Sequence, residues 1–179
     1  FRAMVEVIKD RAGLAQKIAA GDVTIEVQAK SEQDLLGKAL IQVVASLRKL
    51  IAEAELLTKA AVEGKLATRG NAEQFQGGYK QSVTGVNQTL DAVIGPLNVA
   101  AEYVDRISKG DIPPKITDKY NGDFNEIKNN LNVCIDSINL LVADSVLLVK
   151  AAVEGKLATR ADATKHGGDF RKIVEGVNQ

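Results

Sequence analysis

Ten residues, Ala60 to Arg69, recur unchanged from Ala151 to Arg160, and this 91-residue offset constrains the fold more than any other feature of the chain. The likeness runs past the identical block: Gly77 pairs with Gly168, Tyr79 with Phe170, Val83 with Val174, and Gly85-Val86-Asn87-Gln88 with Gly176-Val177-Asn178-Gln179. Ninety-one is thirteen heptads, so both copies share one coiled-coil phase, and helices packed along a sustained seam can hold them in register. A chain of 179 residues built this way reads as several small units rather than one domain.

Helical stripes and breakers alternate along the chain. The first stretch, up to Ala20, is loosely helical and stops at Gly21-Asp22; Val23, Ile25 and Val27 then alternate with polar residues. No second run of that quality exists to pair with it, so it reads as an extended connector pinned to a helix by its apolar residues. A long helix is expected from about Ser31–Asp34, where Ser31 with Asp34 imitates a capping box. Its seam, Leu36, Leu40, Val43, Leu47, Leu50, Ala54, Leu57 and Ala61, steps by fours and threes and ends before Gly64. After a second connector anchored by Leu66 comes Tyr79, Val83, Val86, Leu90, Val93, Leu97, Ala100, Val104 and Ile107. Pro96 lies inside that run, removes one backbone hydrogen bond, and is expected to kink the helix or mark a junction.

Gly110-Asp111 repeats the first ending and opens a third connector, Ile112-Pro113-Pro114-Lys115-Ile116. Phe124, Ile127, Leu131, Cys134, Ile138, Leu141, Ser145, Leu148 and Ala152 form the third long seam, which Gly155 ends. A fourth connector, anchored by Leu157, leads to a last helix beginning near Asp169-Phe170. The stops Gly21, Gly64, Gly110 and Gly155 stand at intervals of 43, 46 and 45. Four units follow: 1–47, 48–93, 94–138 and a truncated 139–179, in the order A, B, A′, B′.

Each unit is helix, connector of roughly a dozen residues, helix. One such pair leaves much of its seam wet, and at about 25 cal/mol per Å2 of apolar surface a second copy of the chain is the natural cover. A connector as long as a helix lets the two helices of a unit run parallel. The fold class expected is therefore all-α: parallel four-helix coiled-coil bundles, stacked and formed by a homodimer. Aliphatic residues are abundant, aromatics are 4% and Trp is absent, as suits such seams.

This pattern resembles tandem HAMP domains, the signal-relay modules of bacterial chemoreceptors and sensor kinases. The resemblance rests on Gly21-Asp22-Val23 and Gly110-Asp111-Ile112 after a first helix, on Gly95-Pro96-Leu97 near a first helix's start, and on Tyr120-Asn121-Gly122-Asp123-Phe124-Asn125-Glu126-Ile127 entering a second helix. The Asp-Glu-x-Gly signature of familiar single HAMP domains is absent, as in the divergent class of multi-HAMP arrays. The family implies a non-enzymatic relay in which each bundle has two nearly isoenergetic packings, with Leu66, Ile112 and Leu157 as candidates for selecting between them. It also implies partners: the chain itself as a parallel homodimer, and the sensor and output domains of a longer receptor. A cytoplasmic location, as in the cytoplasmic part of an inner-membrane receptor, is the matching expectation. The alternative is a passive dimeric coiled-coil spacer.

Other chemistry is weakly represented. The 23 basic and 23 acidic residues cancel, so nothing pulls the chain toward nucleic acid. Gly64-Lys65 and Gly155-Lys156 lack the preceding glycine and following Ser or Thr of a phosphate loop, and no cofactor, small-molecule ligand or metal is expected. His166, the single histidine, is expected as a solvated connector residue, and Cys134, the single cysteine, as a small buried seam residue. The apolar run Ile138 to Val149 is interrupted by Asp144-Ser145 and is too short to cross a bilayer, so no membrane contact is expected. Phe1 opens within a helical pattern and Gln179 aligns with Gln88, so the chain is expected to be a piece of a longer one.

Overall fold

The computed structural model describes residues 2–179, with side chains from Met4 onward. Helix makes up 70% of the chain and no strand occurs among the described residues, which places the fold in the all-α class. In order the helices are α1 (Arg2–Ala19), α2 (Leu35–Val62), α3 (Gly77–Ser108), α4 (Gly122–Val153) and α5 (Gly168–Val177). Short 3-10 turns, Ala72–Gln74 and Ala163–Lys165, sit in the second and fourth connectors at the same 91-residue offset. Val23, Ile25 and Val27 form no strand; each is half-buried in an extended segment.

All four expected stops end a helix in one geometry. Gly21, Gly64, Gly110 and Gly155 adopt φ of 87°, 72°, 78° and 73°. At Gly64 the glycine N–H donates to the Ala61 carbonyl and the Lys65 N–H reaches back to the Ala60 carbonyl at 2.8 Å. The other three stops repeat this double bond, which satisfies carbonyls that a helix end would otherwise leave free. A left-handed residue costs an L side chain about 1–2 kcal/mol, so glycine is the residue that ends these helices cheaply.

At the start of α2 the cap is Asp34 rather than Ser31: its Oδ1 accepts the Gly37 N–H at 2.8 Å. Its carboxylate also takes the Lys30 N–H and the guanidinium of Arg11, bonds a serine hydroxyl in the looser box could not all supply. Pro96 interrupts nothing at the level of secondary structure, since α3 is continuous through it.

The chain divides into two compact units, residues 1–93 and 94–179. In the first, Val44, Ala60, Phe75 and Val83 are buried; in the second, Ile94, Ile116, Ile135, Ala151, Ala161 and Val174 are. With His166, also buried in the second unit, four pairs are related by the same offset of 91: Val44 with Ile135, Ala60 with Ala151, Phe75 with His166 and Val83 with Val174. The repeat is therefore one of packing as well as of sequence.

By length and composition α4 is long and apolar enough to cross a membrane, with a mean hydropathy of 1.6. It is much longer than the run Ile138 to Val149, whose shortness was the sequence argument against a span. Yet α4 carries Asp136, paired with Lys115 at 2.6 Å, and Asp144, paired with His166. A charge at the centre of a spanning helix costs about 2.5–3.5 kcal/mol.

Candidate functional site: the helix–connector joints

The seam residues deduced from the sequence are only half covered within one chain. Val83 alone among them is buried. Leu40, Leu47, Leu50, Leu57, Tyr79, Leu90, Ile107, Phe124, Leu131, Ile138, Leu141 and Leu148 are intermediate, while Leu36, Val43, Val86, Val93, Leu97, Val104 and Ile127 are exposed. Cys134 is exposed too within one chain, where no second copy covers the seam. The fully buried residue is its neighbour Ile135, at 1% exposure. About 100° round the helix separates the two, enough for the connector to cover one flank and leave the other open.

The open flank forms an apolar groove in each compact unit. In the first, a cavity of about 400 Å3 is lined by Leu50, Glu53, Ala54, Leu57, Val83 and Val86. In the second, about 220 Å3 is lined by Leu141, Asp144, Ser145, Leu148, Val174 and Val177. These are the same positions, 91 residues apart.

Two sets of contacts fasten the connectors across their helix pairs, both polar at every joint but the third. The first is an asparagine clamp. Gly70 donates its N–H to Asn87 Oδ1 at 2.9 Å, and Asn87 Nδ2 donates to the Gly70 carbonyl at 2.9 Å. Asn132 grips Ile116 in the same way, at 2.8 and 3.0 Å, and Asn178 grips Ala161 at 2.9 and 2.8 Å. The gripped residue stands six positions past each stop glycine, and the asparagine is on the following helix or, for Asn178, caps its C-terminal end. A primary amide offers one donor and one acceptor side by side, so it satisfies both backbone groups of a connector residue that has no strand to pair with. The first connector uses Arg48 instead, donating to the carbonyls of Val23 and Ile25 at 2.6 and 3.0 Å.

The second set ties the far end of the connector to the preceding helix through a residue eleven positions ahead of the stop glycine. Asp10 pairs with Lys30 at 3.3 Å. Glu53 accepts from the Asn71 N–H at 2.9 Å and from the Gln74 side chain. Asp144 lies 2.7 Å from His166 Nε2. At the third joint the position is Val99, and it lines a small apolar gap with Ile116, Tyr120 and Phe124.

His166 is therefore no solvated loop residue: its side chain is 1% exposed and its partner is 22 residues away on α4. The candidate selectors differ from one another: Ile112 is half-buried, while Leu66 and Leu157 are 43% and 74% exposed; Ile116, at the far end of the third connector, is buried. Within one chain the second and fourth connectors are seated instead by Phe75 and His166.

The first joint has an additional lock. Arg11, 4% exposed, donates from Nη2 to Asp34 at 2.6 Å and to the Gln28 carbonyl at 2.9 Å, filling the space that the missing side chain of Gly37 leaves. The N–H groups of Lys30 and Gly37, with Arg11 behind them, hold the Asp34 carboxyl below the usual carboxylate range. Among the described residues no cluster of His, Cys, Asp and Glu could hold a metal ion.

Each joint fastens a connector across its helices by these contacts, and among the described residues they bring together no acid, base and nucleophile. Residues 74–140, somewhat more than a third of the chain, match the family model of the HAMP domain. The match takes in α3, the third connector and most of α4. No solved structure matches the chain.

Proposed function

With a HAMP domain matched across residues 74–140, we propose that the chain is a tandem HAMP segment that relays conformational change between a sensor and an output domain of a larger receptor. HAMP domains are non-enzymatic signalling modules, found in the cytoplasm beside the membrane in receptors. The observation that carries the reading is the pair of open grooves on equivalent residues of both compact units, each flanked by a strapped connector. A second copy of the chain, parallel and in register, would cover both grooves and bury the half-exposed seams, completing four-helix bundles. Each bundle then has a two-state choice of helix packing, and a relay needs only a few kcal/mol of bias between the states at either end.

A passive spacer has the same seam but no use for four connectors, each fastened by its own polar ties. Insertion of one residue into the α3 seam of the full receptor separates the two. A relay loses its signalling bias, because the insertion turns all downstream seam residues by about 100°; a tether keeps its output, and retained output would refute the relay.

A further inference from the structure

The four joints share one plan but differ in the group seated against the preceding helix: Lys30 on Asp10, Asn71 and Gln74 on Glu53, Tyr120 beside Val99, and His166 on Asp144. A lysine stays charged and amides stay neutral through the physiological range, whereas an imidazole changes charge there. The second joint is a built-in control for the fourth. Ten residues entering the two connectors are identical, Phe75 and His166 occupy equivalent buried places, and the backbone N–H of each donates to the residue three before it, Ala72 and Ala163.

We infer that the His166–Asp144 pair makes the fourth joint a proton-sensitive latch, so that the seating of residues 155–167 on α4 responds to pH while the other three joints do not. Protonated imidazole and carboxylate form a charge-assisted bond, roughly twice as strong as the neutral one, in a place where the histidine is almost wholly shielded from water. With the imidazole protonated the latch is tight; a neutral ring stands beside an uncompensated carboxylate.

The surrounding groups leave that response to the pair. From α4 the facing group is Asp144. Within the connector, Asp162 is held ionised chiefly by the Thr164 hydroxyl and N–H, with Lys165 and His166 nearby, so it stays charged from pH 5 to 8. On α5 the charges are engaged with one another, Arg171 with Glu175 and Lys172 with Asp169.

Amide exchange followed by NMR on the 179-residue chain, corrected for intrinsic rates, tests the latch without any signalling readout. Its failure would therefore leave the relay reading standing, and loss of the relay reading would leave the latch. Protection at Lys165 and His166 is expected to fall about three- to tenfold between pH 5.5 and 8, with Phe75 unchanged. His166→Phe, which copies the second joint, and Asp144→Asn, which keeps an acceptor but removes the charge, should each abolish the difference. Equal protection at the two pH values in the native chain, or a response that persists in either folded variant, would overturn the proposal; if one variant does not fold, the other decides.

Discussion

Replacing Asn132 by Ala is the most informative single change, because it removes a two-way bond and nothing else of size. Asn132 is half-buried, and its amide supplies both the acceptor for the Ile116 N–H and the donor for the Ile116 carbonyl. Each neutral hydrogen bond contributes about 0.5–1.5 kcal/mol net, and Ile116, 6% exposed, has little access to water in compensation. The expected loss is about 2–3 kcal/mol, read as a lower urea midpoint at unchanged slope and fixed protein concentration. Asn132→Asp sharpens the reasoning. A carboxylate keeps the acceptor but sets a negative charge against the Ile116 carbonyl, so it should cost at least as much as Ala at pH 7. Part of the loss should return near pH 3–4, where a protonated carboxyl can donate again. Asn130→Ala, on an exposed face of α4, should stay within about 0.5 kcal/mol. If Asn132→Ala cost no more than Asn130→Ala, the clamp would contribute nothing to stability and the strap account would fail.

Substituting Ala for Gly155, whose φ is 73°, should cost about 1–2 kcal/mol although a methyl there meets no atom within 4 Å; the same change at helical Gly13, equally uncrowded, should stabilise α1 by about 0.5–1 kcal/mol. Thermal or urea unfolding distinguishes the opposite signs. Ile135→Ala should lose about 2–5 kcal/mol by the same assay and Val133→Ala, 62% exposed, less than about 0.5 kcal/mol, with equal losses refuting the assigned buried flank. For Asp34 the folded carboxyl is held below its unfolded value, so its stabilisation is present above the unfolded value near 3.9 and lost as pH falls through the folded one. Acid titration of helicity should show the loss in the native chain and a shallower loss in Asp34→Asn; superimposable curves would contradict it.

The parts of this fold legible in the sequence were those in which one residue type meets one backbone need. Four glycines end four helices because no other residue takes a left-handed φ so cheaply, and the apolar steps of four and three between them leave little doubt about the helices. The strand-like alternation of Val23, Ile25 and Val27 was correctly read as a connector because it had no partner to pair with. The residue buried within one chain stands one position past the seam residue. Heptad spacing identifies a stripe, but it does not say that the connector covers Val44 and Ile135 while Val43 and Cys134 face outward.

The polar ties are not legible in the sequence because their partners lie 16 to 25 residues apart, beyond any local pattern. The signal was present in the repeat all the same. Asn87 and Asn178 recur within Gly-Val-Asn-Gln, and Glu53 and Asp144 are acidic residues at the same offset, eleven ahead of a stop glycine. His166 reads as solvated from its local sequence because its partner, Asp144, lies 22 residues away on α4. Its substitution for Phe75 in an otherwise matched joint was the clue to its burial.

Oxidation of Cys134 tests the central claim most directly. Cys134 is the single cysteine and is exposed on the third seam, beside the flank left open within one chain. A parallel, in-register homodimer brings the two copies of this residue to the same level of the bundle, so mild oxidation of the native chain should yield a disulfide-linked dimer in high proportion, abolished by Cys134→Ser. A chain that sediments as a dimer yet gives no linked product would contradict that register and facing, and a chain that remains monomeric at micromolar concentration would contradict the shared bundle itself.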